Sequence, residues 1–296
     1  MSSVLAAEQE QASKPLPFQA ICDSPKTLQS IGAMTAAPSI LVFDSGLGGL
    51  TVFREVVKAR PDAYFVYVAD DAFFPYGRQD EAKLVVRVLD VMAGLIAAHR
   101  PDLVVIACNT ASTIVLPALR EKFAGPFVGT VPAIKPACAS SASKLVTVFG
   151  TEATIKREYT RALIRDYAQG CAVTLVGSPR LAELAEAELK GELVSDDDVA
   201  AELVPCFVAI DGKRTDTIVL ACTHYPLLLK RFEKVAPWPV NFIDPAPAIA
   251  RRVLDLLGAP TPVASAAPVR FIFTSGMAPS AALQAALGRF GAALAV

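Results

Sequence analysis

Two kinds of pattern alternate along this chain. Short apolar runs, rich in Val, Ile, Leu and Phe, occur at residues 40–43, 64–69, 103–107, 127–131, 145–149, 171–176, 218–221, 240–243 and 269–273. Between them lie stretches with apolar residues at helical spacing. These cover about 50–58, 81–99, 109–123, 152–167 and 180–189, with another helix starting at 196. The runs read as buried strands and the spaced stretches as amphipathic helices. Strands alternating with helices predict an α/β protein with mainly parallel, doubly wound sheets.

Two of the runs share a form. D-L-V-V-I-A-C-N-T-A-S spans 102–112, and D-T-I-V-L-A-C-T-H-Y-P spans 216–226. Each is an apolar strand ending in Ala-Cys, then small or polar residues, then a helical pattern. A strand that delivers a Cys at its carboxyl end places it at the rim where open α/β sheets bind ligands. Two such rims suggest two pseudo-symmetric domains facing one interdomain cleft, with Cys108 on one side and Cys222 on the other. The competing reading is that each Cys is only a small core hydrophobe. The matched contexts weigh against two such coincidences.

A length of 296 residues fits about two domains of roughly 150 residues each. Residues 1–37 are rich in Ser, Ala, Gln and Pro and lack the form of a signal peptide. They read as an N-terminal extension, either disordered or folded over a regulatory site. Met34 is a second candidate start, because the fold signal begins only at Ser39. The prolines of V-P-A-I-K-P-A, 131–137, mark a crossing between domains. The last strand and helix return to the first domain. The expected division is therefore 38–131 plus 244–296 for the first domain and 132–243 for the second.

Composition narrows the function classes. The net charge of −1 argues against a surface built to neutralise nucleic acid. No apolar run approaches the ~18 residues that suggest a membrane span. None of Cys22, Cys108, Cys138, Cys171, Cys206 and Cys222 forms a C-x-x-C pair, so a structural metal site has little support. With no secretory signal, a cytoplasmic setting with free thiols is expected. Asp196-Asp197-Asp198 reads as a helix start, since sequential carboxylates form no cage.

The candidate chemistry sits after the strands. G-L-G-G at 46–49 permits a tight turn and close approach of backbone N–H groups to an anion at a helix start, but it fits neither phosphate-loop nor dinucleotide pattern. F-P-Y-G at 74–77 is an irregular aromatic loop that suits a cleft wall. Asn109 and Thr110 can hydrogen-bond a ligand, and a helix start there lowers a thiol's pKa. Thr151 and Thr154 suit helix capping and substrate contact about equally. Glu183, Glu186 and Glu188 lie on one helix, where most such residues form a solvated face. His99 reads as a surface residue at a helix C-terminus. Inverting a carbon acid needs a base on one face and an acid on the other. Two thiols meet that need when one is thiolate and the other neutral, and Asp44 and His224 are placed to hold or relay protons. Without a cofactor motif, the developing carbanion must be stabilised by hydrogen bonds and electrostatics.

V-F-D-S-G-L-G-G-L, F-P-Y-G, A-C-N-T-A-S and A-C-T-H-Y-P-L-L, in that order, resemble the bacterial glutamate racemase family, from about residue 40 to 252. V-P-A-I-K-P-A and G-S-P-R-L-A-E-L-A-E-A-E-L-K-G-E further resemble its Gram-negative type, which carries an N-terminal extension. The resemblance implies cofactor-independent interconversion of L- and D-glutamate and supply of D-glutamate to peptidoglycan synthesis. It makes Cys108 the thiol that deprotonates D-glutamate and Cys222 the one that deprotonates L-glutamate. Asp44 and His224 become their polar assistants. Asp44-Ser45, Pro75-Tyr76-Gly77, Asn109-Thr110 and Thr223-His224 become substrate-binding residues, and Asp70 and Glu186 match activity-linked acids. It also implies UDP-N-acetylmuramoyl-L-alanine as an activator, here expected to act through the extension. One departure is D-D-A at 70–72, where many members have D-T-A or D-S-A; Asp71 adds a charge near an anionic substrate.

Three other readings remain at this level. A relative acting on aspartate or another amino acid would use the same two thiols. A binding protein that inhibits DNA gyrase, as some family members are described, would act through protein rather than DNA given the near-neutral charge. A thiol hydrolase with one Cys–His pair leaves the other Cys unexplained. Monomer and homodimer are both open.

Overall fold

The computed structural model describes residues 37–168, 170–262 and 268–290. The readings made on residues 1–36, including the regulatory tail, the start at Met34 and the Cys22 thiol, lie outside the described residues. Within those described there are eleven strands: β1 (Ser39–Asp44), β2 (Tyr64–Ala69), β3 (Leu103–Ile106), β4 (Phe127–Gly129), β5 (Leu145–Thr151), β6 (Ala172–Ser178), β7 (Ala209–Ile210), β8 (Lys213–Arg214), β9 (Thr217–Ala221), β10 (Asn241–Ile243) and β11 (Arg270–Phe273). They form one sheet in the order β11-β2-β1-β3-β4 and a second in the order β10-β9-β5-β6. Every pairing in both sheets is parallel.

The strand orders locate the functional region. In the first sheet the chain runs from β1 to β2 on one side and later from β1's other side outward through β3. The crevice at the carboxyl ends of β1 and β3 is thus a topological switch point, where such folds open a ligand site. The second sheet repeats this between β5 and β9. Asp44 ends β1 and Cys108 follows β3; Thr151 ends β5 and Cys222 follows β9. The central strands β1, β3 and β9 are buried almost throughout, which is why they read as continuous apolar runs rather than alternating ones.

The helix Leu50–Ala59 buries Leu50, Val52, Phe53 and Val56. It packs in one core with Ile249, Ala250 and Val253 of the helix Ala246–Leu257. Phe53 meets Phe65 and Tyr67 edge-on at centroid distances of 5.4 and 5.7 Å, a favoured aromatic geometry. Among the described residues no helix is long and apolar enough to cross a membrane. No group of three or more His, Cys, Asp or Glu there could hold a metal ion.

Several sequence expectations are corrected. The helix expected from 109 to about 123 is two helices, Asn109–Ile114 and Leu116–Lys122. Pro117 lacks an N–H to continue the ladder and restricts the residue before it. The helix expected to reach 167 breaks into Glu152–Ile155 and Glu158–Tyr167, with Arg157 extended between them. There the Thr160 hydroxyl takes the Thr154 carbonyl at 2.7 Å. The helix at 196 is capped by Ser195, whose side chain accepts the Asp198 N–H. β7 and β8 form a hairpin that the apolar pattern missed. Its turn is Asp211-Gly212, both at positive φ, as a two-residue type I′ hairpin requires. His99 ends its helix half-buried rather than on the open surface, and Arg100 supplies the left-handed cap.

A buried ion pair ties the two packed helices. Arg60 and Asp62 side chains are 4% and 0% exposed, with Nη2 and Oδ2 2.8 Å apart. Arg60 also donates to the carbonyls of Leu257 and Gly258, and Thr261 donates to Asp62. The hydrogen bonds from Arg60 hold the Asp62 carboxyl far below its usual pKa. Asp62→Asn leaves the guanidinium under-partnered and is expected to lower the urea-unfolding free energy by about 3–5 kcal/mol at neutral pH. Because the folded pKa is depressed, wild type holds this stabilisation above the ordinary aspartate value of 3.8 and loses it as the folded carboxylate is protonated. The gap between the two proteins therefore narrows in acid. A gap below about 1 kcal/mol, or one that widens in acid, would contradict this assignment.

Candidate active site

Four strand ends converge on one narrow cleft. Ser45, Cys108, Asn109 and Thr110 line it from the first sheet; Thr151, Cys222, Thr223 and His224 line it from the second. Phe74, Pro75, Tyr76 and Gly77 form a wall, and Ala182 completes the lining. Every residue of the four sequence-predicted binding groups is therefore present except Asp44. Asp44, Asp70 and Glu186 stand behind the surface, 0%, 0% and 3% exposed.

Cys108 caps the helix Asn109–Ile114. Its Sγ accepts the Ala111 N–H at 3.4 Å and lies 3.7 Å from Ser45 Oγ. A helix start by itself lowers a thiol's pKa. Here burial, reinforced by the Asp44 charge, outweighs these donors and pushes the thiol up to about 12. Cys108 thus carries its proton at neutral pH. Asp44 accepts the Gly46 N–H through Oδ2 at 2.9 Å, while Oδ1 is buried with no hydrogen bond among the described residues. Burial raises its carboxyl above the usual range, against the pull of His224.

The other thiol has a different setting. Cys222 Sγ is 3.8 Å from His224 Nδ1. His224 Nε2 is 3.2 Å from Glu186 Oε1 and 3.1 Å from the Gly48 nitrogen. Only a bare Nε2 accepts the Gly48 N–H; a protonated one donates to Glu186. Burial opposes an imidazolium, but hydrogen bonds to Cys222 and Glu186, together with Asp44, raise the His224 pKa well above 6.5. Burial likewise pushes Glu186 up, but His224 and Lys190 more than offset it and hold the carboxyl at about 2. The favoured form is an imidazolium donating from Nε2 to Glu186 and from Nδ1 toward Cys222, where it stabilises negative charge. Glu186 is the exception on its helix. Glu183 pairs with Arg78 and Glu188 with Arg231 at the surface, whereas Glu186 turns inward.

The glycine loop explains how this fits. Leu47 donates its N–H to Glu186 Oε1 at 2.8 Å, so the anion met by the loop is a side chain of the protein. A Cβ on Gly46 would fall 2.0 Å from Glu186 Oε1, and one on Gly48 2.3 Å from His224 Nδ1. The Thr51 hydroxyl lies 3.0 Å from the Gly48 and Thr223 carbonyl oxygens. Across the same seam Thr110, Thr151 and Thr154 join hydroxyls at 2.9 to 3.4 Å. Thr151 both caps its helix, accepting the Thr154 N–H, and faces the cleft.

Two further placements matter. Asn109 is 2% exposed, and neither Oδ1 nor Nδ2 has a hydrogen bond among the described residues. A buried unpaired amide is costly, and this one lines the cleft, so a ligand's polar groups are its natural partners. Asp71, the departure noted in the sequence, turns away from the cleft and accepts the N–H and hydroxyl of Ser275 at 2.9 and 2.6 Å. Phe74 belongs to the aromatic loop expected to form a cleft wall; Ala182 was not singled out, nor was Lys190, although its place four residues after Glu186 is the spacing of a helical ion pair.

Comparison with known proteins gives a consistent result. The family described as Asp/Glu/Hydantoin racemase matches residues 44–253. A glutamate racemase of Mesorhizobium japonicum is 55% identical over 248 residues, covering 82% of this chain and 93% of the relative. One from Sinorhizobium medicae is 52% identical over 246 residues, covering 82% and 90%. Among solved structures, Escherichia coli glutamate racemase in complex with L-glutamate and the activator UDP-MurNAc-Ala is similar with a TM-score of 0.78 and 41% identity, over 86% of this chain and 96% of that one.

The asymmetry between the thiols is measurable. Peptide-resolved alkylation with iodoacetamide should find Cys108 slow at neutral pH and accelerating only on the alkaline side, since the thiolate is the nucleophile. Asp44→Asn should move that onset to lower pH by removing the charge that disfavours the thiolate. An onset that stays in place or moves up would show that Asp44 does not act on this sulfur.

Proposed function

The chain belongs to the Asp/Glu/Hydantoin racemase family, and on that premise we propose that it interconverts L- and D-glutamate by two-thiol chemistry, one of Cys222 and Cys108 taking the Cα proton and the other delivering a different proton to the opposite face. The observation that carries the proposal is the arrival of two thiols, from two switch points, in one cleft. From L-glutamate, the Cys222 thiolate takes the Cα proton while the imidazolium of His224 stands beside it. The Cys108 thiol then delivers its own proton to the opposite face. The product is D-glutamate, with Cys222 now a thiol and Cys108 a thiolate; the reverse reaction starts from that form. The Cys108 thiol and the His224–Glu186 pair favour the form poised for L-glutamate.

In this reading Asp44 and His224 tune the two sulfurs, and Glu186 holds His224. Ser45, Asn109, Thr110, Thr223 and the wall Pro75-Tyr76-Gly77 bind the substrate. Carbanion charge is met by fixed donors rather than by a cofactor, and the unpaired Asn109 amide is the strongest such candidate. Glutamate is favoured over aspartate because the similar proteins of 41–55% identity are glutamate racemases. D-glutamate made here would supply peptidoglycan synthesis. We divide the chain into 38–131 plus 244–296 and 132–243, a division supported by the distribution of strands between the sheets.

We also propose that UDP-N-acetylmuramoyl-L-alanine activates this chain, since UDP-MurNAc-Ala is the activator bound to the E. coli enzyme. What supports a place outside the extension is a cavity of about 500 Å³ beside β4, lined by Arg120, Arg252, Phe127 and Tyr159 among others. Two guanidinium groups suit a pyrophosphate and the aromatics suit a base. A rise in glutamate kcat/KM and in Tm on adding this nucleotide is the expected result. No change in either would overturn the reading.

The activity itself is tested by circular dichroism on L-glutamate, D-glutamate and aspartate. Wild type should racemise both glutamate enantiomers and leave aspartate largely untouched. Cys108→Ser and Cys222→Ser should each lower racemisation by at least about 10²–10⁴-fold, since a serine hydroxyl is far too weak an acid to replace a thiol. Full activity in either single variant would contradict the two-thiol assignment.

A further inference from the structure

The cleft wall is held by a part of the chain far from it in sequence. β11 pairs with β2 in parallel, with Phe273 opposite Ala69. The register therefore carries Thr274 beside Asp70, and the Thr274 N–H continues the ladder to the Ala69 carbonyl at 3.0 Å. Thr274 lies beyond the residues matched to the family, 44–253.

Asp70 is fully buried, so its carboxylate needs donors. Thr274 Oγ1 donates to Oδ1 at 2.6 Å, Arg87 contacts both oxygens at 2.6 and 3.2 Å, and the Tyr76 hydroxyl donates to Oδ2 at 2.6 Å. The Thr274 oxygen also accepts the Ala72 N–H at 3.3 Å. One residue on, Ser275 holds Asp71 through its N–H and hydroxyl. The start of the loop is thus fastened at three consecutive positions, 70, 71 and 72, by two residues of another strand's end. The far side of the fastening is Tyr76, 2% exposed and part of the cleft lining.

We infer that Thr274 and Ser275 are positioning residues for the cleft: through Asp70 and Asp71 they fix the segment 73–77, and with it Tyr76, against Cys108 and Asn109. They do not touch the cleft themselves. Asp71, the departure from the family pattern, is the acceptor for Ser275 and so belongs to this fastening. Loss of the Thr274 hydroxyl leaves Asp70 one donor short, and the Tyr76 hydroxyl then has a less rigid acceptor. The wall contacts ground state and transition state alike, so the effect falls on KM. For its kinetic arm only, the inference rests on the glutamate reading of the cleft.

The test uses the full chain as wild type, Thr274→Val, Thr274→Ser and Ser275→Ala. Amide hydrogen exchange is followed over 71–79 and over β1 and β9 as internal references, and kcat and KM are measured for L-glutamate. Thr274→Val should exchange faster over 71–79 with the references unchanged, and raise KM about tenfold with kcat within about twofold. Thr274→Ser keeps the hydroxyl and should match wild type in both. Ser275→Ala should show the same direction more weakly, and it decides the matter should Thr274→Val not fold. Wild-type exchange over 71–79 in Thr274→Val and Ser275→Ala, or a Thr274→Ser variant as impaired as Thr274→Val, would overturn the inference. A wild type inert toward glutamate overturns the functional reading alone, because the exchange arm still decides this one.

Discussion

The contact between the glycine loop 46–49 and the Glu186–His224 pair is the constraint on which the rest of the site depends. A charged pair buried to this degree is costly unless every partner is in place. Leu47 supplies an N–H to Glu186, Lys190 neutralises its other oxygen at 2.7 Å, and the loop can come this close only because Gly46 and Gly48 carry no Cβ. The loop follows β1 and Glu186 and His224 follow β6 and β9, so the same contact fastens one sheet's rim to the other's. Cys108 and Cys222 share a cleft because these rims are held together.

The chemical asymmetry follows from what surrounds each sulfur. Cys108 sits beside a carboxylate and is buried, which keeps its proton on. Cys222 sits beside an imidazolium whose charge is maintained by Glu186. The two halves share topology but not charge, and in the proposed reaction this difference separates acid from base at the start of a turnover. Reversal after each turnover exchanges the two protonation states, with Asp44 and His224 positioned to accommodate the change.

Much of this was legible in the sequence because parallel central strands are apolar throughout and end at residues with chemistry. Asp44, Cys108 and Cys222 announce themselves by standing at the ends of such runs. Glu186 does not, since Glu183, Glu186 and Glu188 look alike until the helix is docked and one of them is buried against His224. The pKa direction of Cys108 is not legible in the sequence for a related reason: the helix start is local, whereas the burial and the Asp44 charge that outweigh it are tertiary. The break at Pro117 and the Asp211-Gly212 hairpin carried local signals, overridden by a continuous helical pattern in one case and by strands of only two residues in the other. The pairing of Thr274 with Asp70 has no local signal at all. It is a consequence of β11 adding to the edge of β2 in one register.

The most direct test of transfer between two thiols is the fate of solvent deuterium. L-glutamate is racemised in D₂O by the wild-type chain, and both enantiomers are recovered at low conversion and analysed for deuterium at Cα. Two-thiol transfer predicts that the D-glutamate formed carries deuterium while the remaining L-glutamate keeps its hydrogen, because the acid that protonates the far face is not the base that took the proton. Deuterium appearing equally in both enantiomers, or D-glutamate retaining the original hydrogen, would contradict it.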